Sequence, residues 1–199
     1  MEVIIAAIII VVVMSGGALG LNKISDNLAS SNLNFILYDS IFKKYGQQYG
    51  VNPTWLKAIC MNESNLGMAP SVARGLLNPS DSGGSVSSDG LSWGIMQVTV
   101  ITARDFDPAA TYYQLNQAEY SIQMAARVMV RSLNSFNSAT SLDFEKQNIM
   151  AYNAGIGRVN QWLSGTLTNA GQNAIANASD YFNRYMRNKQ VILNTQGEL

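Results

Sequence analysis

The chain has 199 residues, 47% hydrophobic and 13% charged, and its 13 basic and 13 acidic side chains give a formal net charge of zero. This balance lacks the basic footprint of a nucleic-acid-binding protein. Histidine is absent and Cys60 is the one cysteine, which excludes Ser-His-Asp and Cys-His catalysis, histidine-ligated zinc and an intramolecular disulfide. Catalysis would therefore use carboxylates, hydroxyls, amides or lysine, and we expect no metal or cofactor.

The first segment, residues 3–21, is uncharged and begins with a continuous run of Val, Ile and Ala. As a helix it would span about 28 Å at roughly 1.5 Å per residue, close to the hydrocarbon thickness of a bilayer. A secretory signal cleaved near Ala18 is the alternative, but a signal normally opens with a basic residue and this chain opens with Met1-Glu2. We therefore predict a transmembrane anchor over residues 1–21, a polar linker over residues 22–32 and one domain over residues 33–199.

The next part of the chain shows helical periodicity and little strand alternation, so a mainly α domain is predicted. An apolar stripe predicts a first helix that ends near Gly46. Asn52-Pro53 predicts the start of a second helix, because a capping Asn is followed by Pro at the first helical position, and this helix should run to about Ser64. A Gly-, Pro- and Ser-rich stretch over residues 69–92 is predicted to be a long loop.

The C-terminal half is predicted to hold three longer helices. Asn116 and Glu119 have the spacing of a capping box, which predicts the start of the first of them. The second should cover residues 143–154 and end at Gly155, and the third should begin near Ser179. Shorter helices are expected over residues 98–105 and 157–163.

Glu63 continues the apolar stripe of the second helix, four residues after Ile59 and three after Cys60. Its carboxyl is thus expected to face other protein groups instead of open water. Loss of solvation favours the neutral form of a carboxyl, and a carboxyl protonated near neutral pH is what a general acid requires. From the helix alone, the simpler role for Glu63 would be capping or ion pairing at the helix end. The neighbouring motifs, described next, favour a catalytic role instead.

Three segments occur in an order that resembles the soluble lytic transglycosylases and goose-type lysozymes. They are Glu63-Ser64 at a helix end, Gly-Ile-Met-Gln at residues 94–97 after a Gly/Ser-rich loop, and Ala-Tyr-Asn-Ala-Gly at residues 151–155. The resemblance covers about residues 35–187 and implies a lysozyme-like helical domain. Val100 stands where the family often has proline, and five serines compete for the place of a family serine in the loop: Ser71, Ser85, Ser87, Ser88 and Ser92.

The resemblance implies a role for each matching residue. Glu63 would protonate the glycosidic oxygen between N-acetylmuramic acid and N-acetylglucosamine, then take the proton of the muramic C6 hydroxyl as a 1,6-anhydro ring closes. The implied substrate-binding residues are Met96, Gln97, Tyr152, Asn153 and Tyr181. Among them, Tyr152 would hydrogen-bond near Glu63 and Met96 would line the site beneath the substrate. Core roles for Met96 and Tyr152 stay open.

The reaction has a close alternative. Asp81 and Asp89 lie in the loop where goose-type lysozymes carry aspartates that position a water, which would make the enzyme a hydrolytic muramidase. Asp89-Gly90 is also a common turn dipeptide, so the transglycosylase reaction is preferred. A non-catalytic peptidoglycan-binding protein or structural virion protein is a second alternative.

The expected partners are peptidoglycan glycan strands and, through the N-terminal segment, a membrane. Such an anchored enzyme would act in the periplasm or cell wall. It would open the wall for bacteriophage entry, as part of a virion with an internal membrane, or for a secretion or conjugation apparatus. The cations Arg184, Arg187 and Lys189 are predicted to form a solvated face of the last helix, with weak attraction to anionic wall polymers or lipid as the alternative.

Overall fold

A computed structural model describes residues 33, 35–80, 91–136 and 141–199, with Ser141 and Leu142 described by their backbone. Contacts divide the chain after Ile36, and the unit Leu37–Leu199 contains every element named below. The predicted anchor and linker lie outside the described residues. Within the described part of the chain, no helix is both long enough and apolar enough to cross a membrane.

The predicted mainly α class is confirmed. In chain order the elements are α1 (Asp39–Tyr49), α2 (Pro53–Ser64), α3 (Pro70–Leu77), β1 (Ser92–Trp93), β2 (Val98–Thr99), α4 (Val100–Arg104), α5 (Tyr112–Leu115), α6 (Ala118–Leu133), α7 (Ser141–Ala154), α8 (Ile156–Leu163) and α9 (Asn169–Gln196). The two short strands pair antiparallel, with Ser92 opposite Thr99 and Trp93 opposite Val98.

Local sequence signals set the start of α2 and the end of α7, the two helices that carry Glu63 and Tyr152. The Asn52 side chain accepts hydrogen bonds from the backbone N–H groups of Thr54 and Trp55, and Pro53 occupies the first turn, as predicted. The predicted end of α7 is also confirmed, because Ala154 is followed by Gly155 with φ 86°. A glycine adopts this backbone conformation without the steric cost that a side chain would add.

The predicted capping box at Asn116 and Glu119 is wrong. Helix α6 begins at Ala118, after a residue whose side chain makes no capping hydrogen bond. Asn116 is buried instead and donates to the carbonyl of Pro79, while Glu119 pairs with Lys44 at 2.6 Å. The box belongs to α5, where Thr111 and Gln114 cap each other's backbone groups.

Two other boundaries differ from the predictions. Helix α9 begins at Asn169 and not near Ser179, because Thr168 caps its first turn and small residues continue its buried face. Within the predicted loop 69–92, residues Pro70–Leu77 form helix α3, with proline in its first turn. That proline is compatible with a helix start because the N–H it lacks has no intrahelical partner at this position.

Helix α9 packs against both α2 and α7, and α1 packs against α2 and α6. The largest fully buried side chains are Phe42, Leu56, Lys57, Ile59, Ile95, Met96, Leu115, Ile122, Met124, Met129, Ile149 and Tyr185. Lys57 is a buried cation whose ammonium donates to Asp39 at 2.7 Å and to Gln196 at 2.5 Å. This contact fixes the last turn of α9 to α1 and α2, and so helps to set the position of α9 beside the end of α2.

Candidate active site

The last turn of α2 presents Glu63, which is partly buried. The Tyr181 hydroxyl on α9 donates a hydrogen bond of 2.7 Å to Glu63 Oε1. Burial raises the pKa of Glu63 to about 7, and this rise is opposed by the Tyr181 hydrogen bond and by the positive charge of Arg184. The predicted environment of this carboxyl is therefore present: it has lost most of its solvation, and its hydrogen-bond partner is neutral.

Residues 94–97 form the turn between β1 and β2. Gly94 has φ 71°, and a Cβ at this position would lie 1.8 Å from the Leu115 carbonyl oxygen, so the close approach requires glycine. Gln97 has φ 49°, and its side-chain amide donates to the Gly94 carbonyl at 2.7 Å. This hydrogen bond closes the turn and places Gln97 at the cavity described below.

A serine beside Glu63 holds this turn against the end of α2. The Ser64 hydroxyl is buried and donates to the Ile95 carbonyl at 2.7 Å, while it accepts from the backbone N–H of Gly67 at 2.9 Å. Because Ser64 is adjacent to Glu63, the same hydrogen bonds fix the position of the 94–97 turn relative to the Glu63 carboxyl. Sequence reasoning noted Ser64 in the motif and gave it no role.

The end of α7 reaches the same place through Tyr152 and Asn153. The Tyr152 hydroxyl donates to the Met96 carbonyl at 2.7 Å, and burial raises its pKa well above the usual range, with the nearby Glu63 charge as a second cause. The hydroxyl is therefore a permanently protonated donor. Asn153 is exposed, so its amide is open to a ligand.

These groups surround a cavity of about 170 Å³. It is lined by Glu63, Ser92, Gln97, Val98, Thr99, Thr102, Val128, Tyr152 and Asn153. Glu63 is the one ionisable carboxylate in that lining, and the remaining polar groups are hydroxyls and amides. Such a surface offers both donors and acceptors to the hydroxyl and N-acetyl groups of a sugar.

The predicted site residues divide by where the structure places them. Gln97, Tyr152 and Asn153 line the cavity with Glu63. Tyr181 lies behind the carboxyl and supplies the hydrogen bond that was expected from Tyr152.

Met96 is fully buried, and the cavity lining does not include it. Its expected place beneath the substrate stays a prediction, and its carbonyl serves as the acceptor for Tyr152. Asp81 and Asp89 lie outside the described residues.

Five lining residues had no assigned role in the sequence analysis: Ser92, Val98, Thr99, Thr102 and Val128. Ser92 was one of five competing serines; it pairs with Thr99 across the short hairpin and lines the cavity, while Ser85, Ser87 and Ser88 lie outside the described residues. Thr102 is one turn into α4, where Thr99 caps the helix by accepting its N–H. Val128 comes from α6, more than twenty residues further along the chain, and no local pattern marks it.

A mainly helical domain with a desolvated glutamate at a neutral cleft is the arrangement of a glycan-cleaving enzyme of lysozyme type. The family model of the transglycosylase SLT domain matches residues 40–175, more than half of the chain, and the protein belongs to this family. A search of curated proteins found no significant match. Membership implies a lytic-transglycosylase type of activity and peptidoglycan as the substrate.

Proposed function

We propose that this protein is a peptidoglycan lytic transglycosylase that cleaves the β-1,4 bond between N-acetylmuramic acid and N-acetylglucosamine and forms a 1,6-anhydro product. One observation carries the proposal: Glu63 lies at a neutral cleft with its pKa raised to about 7 and with a tyrosine hydroxyl as its direct partner. A carboxyl with such a pKa can both give and take a proton near neutral pH.

In the first step, protonated Glu63 donates its proton to the glycosidic oxygen as the bond from that oxygen to the muramic C1 breaks. The departing sugar leaves as an alcohol, and positive charge develops at C1. The Glu63 carboxylate formed here accepts the Tyr181 hydrogen bond at 2.7 Å. That bond and the nearby Arg184 charge stabilise the anion, because both favour the ionised form.

In the second step, the Glu63 carboxylate takes the proton of the muramic C6 hydroxyl while the C6 oxygen bonds to C1. The proton lost in the first step is thereby recovered, no water is consumed, and the enzyme returns to its starting state. The cavity is lined by Gln97, Tyr152 and Asn153, whose amide and hydroxyl groups would orient the sugar for this closure.

The choice between ring closure and hydrolysis depends on a second carboxylate. Hydrolytic glycosidases use a second carboxylate as nucleophile or to activate water. Among the described residues that line the cavity, Glu63 is the one carboxylate. The candidates for a second carboxylate, Asp81 and Asp89, lie outside the described residues, so the hydrolytic muramidase is the alternative outcome of the experiment below.

The test is mass spectrometry of the muropeptides released from purified peptidoglycan by the full chain. Glu63→Gln removes the titratable proton with little change in size. Glu119→Gln is the matched control, because Glu119 is an exposed glutamate paired with Lys44 and does not line the cavity. Products that carry 1,6-anhydromuramic acid are expected from the wild type and from Glu119→Gln, and none from Glu63→Gln.

The other outcomes are equally specific. Products with reducing ends that disappear in Glu63→Gln would replace the transglycosylase by a hydrolase and make Asp81 and Asp89 the next residues to change. Undiminished cleavage by Glu63→Gln would remove Glu63 from the mechanism. Absence of cleavage by a folded wild-type chain would favour a protein that binds peptidoglycan without turnover.

We also propose that the enzyme acts at the cell wall while attached to a membrane through residues 3–21, whose uncharged sequence is long enough to span a bilayer. In that position it would open the wall locally, for bacteriophage entry or for assembly of an envelope machine. The full chain should then stay with membranes after a carbonate or high-salt wash. Release by either wash, or a mature N-terminus near Ala18, would contradict the anchor.

A further inference from the structure

One cation next to the site has no assigned role in substrate binding. Arg184 lies three residues after Tyr181 on α9, and its guanidinium carbon is 5.7 Å from the centre of the Tyr181 ring. Residues three apart in a helix share a face. Because the hydroxyl of that same tyrosine contacts Glu63, the guanidinium is separated from the Glu63 carboxyl by one aromatic ring.

The Arg184 side chain is exposed, and within the described parts of the chain its guanidinium has no hydrogen-bond or ion-pair partner. Two other cations of the domain differ. Lys189 on the same helix pairs with Glu145 at 2.7 Å, and Arg158 donates to the carbonyl of Ala154 at 3.0 Å. The planar guanidinium of Arg184 thus offers its set of N–H donors to solvent or to a ligand.

The chemistry of the substrate suggests what such a group would bind. The sugar rings of peptidoglycan are uncharged, and the neutral hydroxyls and amides of the cavity suit them. The anionic groups of the polymer are carboxylates on the lactyl substituent of muramic acid, either the free lactyl carboxylate or those of an attached stem peptide. A guanidinium fork matches the two oxygens of a carboxylate.

We infer that Arg184 is a specificity-determining residue, which binds a carboxylate carried by the muramyl substituent of the glycan strand near Glu63. The inference rests on the proposed function, since it names the part of the substrate recognised beside Glu63. Both sources of the carboxylate present the same chemistry to the guanidinium, and the experiment separates them.

The experiment measures binding, so that it does not depend on turnover. The full chain carrying Glu63→Gln, in detergent micelles, is titrated with glycan strands in three forms: strands with stem peptides, strands with the peptides removed, and strands whose carboxyls have been amidated. Arg184→Gln in the same background should raise the Kd roughly three- to tenfold for strands with carboxylates. It should leave the Kd for amidated strands unchanged.

Two variants control for charge alone. Arg187→Gln removes an equal charge from an exposed position one turn further along α9 and should change the Kd little. Arg184→Lys keeps the charge and loses the fork, so an intermediate Kd is expected. If Arg184→Gln weakens binding only of strands with stem peptides, the carboxylate that Arg184 binds belongs to the stem peptide. If the variant also weakens binding of strands without peptides, Arg184 binds the lactyl carboxylate.

The inference is overturned if Arg184→Gln leaves all three Kd values unchanged. It is also overturned if the variant weakens binding of amidated strands as much as binding of strands with carboxylates, or if its effect on Kd is no larger than that of Arg187→Gln. These results would leave the proposed function intact, because the wild type would still cleave and the Glu63→Gln chain would still bind strands. Failure of the Glu63→Gln chain to bind any strand, together with failure of the wild type to cleave, would overturn both.

Discussion

Two glutamates in this domain each accept a hydrogen bond from a tyrosine of α9, and the two tyrosines are one helical turn apart. Tyr181 donates to Glu63 at 2.7 Å and Tyr185 donates to Glu145 at 2.5 Å. The two glutamates differ in how close the nearest positive charge lies. The Lys189 ammonium contacts both oxygens of Glu145, at 2.7 and 2.9 Å, whereas Glu63 has a hydroxyl as its hydrogen-bond partner and meets a positive charge at longer range.

The difference shows how one helix can support a structural carboxylate and a reactive one. A carboxylate paired with an adjacent ammonium joins two helices, here α7 and α9. A carboxyl that is desolvated and meets a neutral donor keeps its proton to higher pH, as the raised pKa of Glu63 indicates. The distinction predicts that exchanging each glutamate for glutamine will damage different properties of the protein.

The largest effect is expected on the rate of cleavage. Glu63→Gln should lower kcat by roughly 10²- to 10⁴-fold, the usual contribution of a general acid and base, because the amide can neither give nor take the proton. Glu145→Gln, assayed at a temperature where it remains folded, should keep kcat within a few-fold of the wild type. Comparable losses of kcat in both variants would mean that the paired carboxylate also takes part in the chemistry.

The second effect concerns stability, and here Glu145→Gln is the variant expected to lose more. Glu145→Gln leaves the Lys189 ammonium without its counterion, with only 17% of the lysine side chain exposed. Removing one partner of a buried pair is strongly destabilising, and we expect a loss on the order of 3 kcal/mol in the free energy of unfolding. Urea denaturation measures it. The double variant Glu145→Gln, Lys189→Met is the control, since it should recover part of the loss, and an undiminished loss would place the cause outside this ion pair.

The sequence predicted those parts of the site that depend on local signals. The capping Asn52 with Pro53 fixes the start of α2, and the apolar spacing of that helix predicts a Glu63 shielded from water. Gly155 marks the end of α7 and therefore the place of Tyr152. In each case the residues that determine the structure lie within one or two turns of the residue that they position.

Contacts between distant segments were not predictable in the same way. Tyr181 reaches Glu63 across 118 positions of the chain, whereas the family resemblance implied a hydrogen bond from Tyr152. The first turns of α9 were missed because Ile175 is the one large apolar side chain among their buried residues, and the small Gly171 and Ala178 on either side of it do not produce an apolar stripe. The pairing of Glu145 with Lys189 likewise depends on how α7 and α9 pack, so a residue predicted to face solvent is partly buried.

The third prediction concerns the hydrogen bond from Tyr181 to Glu63. Tyr181→Phe removes a donor that favours the Glu63 carboxylate, so the pKa of Glu63 should rise. Since the first step needs protonated Glu63, the decline of kcat/KM on the alkaline side should move to higher pH. The maximal rate should fall roughly tenfold, because a carboxyl that has lost its partner is less well oriented.

Tyr185→Phe is the matched control for this variant. It removes the equivalent hydroxyl from the paired glutamate, so it should cost on the order of 1 kcal/mol in the free energy of unfolding and leave the pH dependence of kcat/KM in place. An alkaline limb that moves in Tyr185→Phe, or stays in place in Tyr181→Phe, would contradict the division between the two sites.

The smallest effect tests whether the reactive glutamate is held at a cost to stability. The folded pKa of Glu63 is about 7, above its ordinary value of 4.5, so between these pH values the folded state binds more protons than the unfolded state. The free energy of unfolding must therefore decrease as the pH rises through that window. Glutamine has no such transition. Because Glu63 is partly exposed, we expect Glu63→Gln to be more stable than the wild type by only about 1 kcal/mol at pH 8, with the difference vanishing below about pH 4.5. Urea denaturation at a series of pH values measures it, and a constant difference between the two proteins would show that the ionised carboxylate is not the destabilising form.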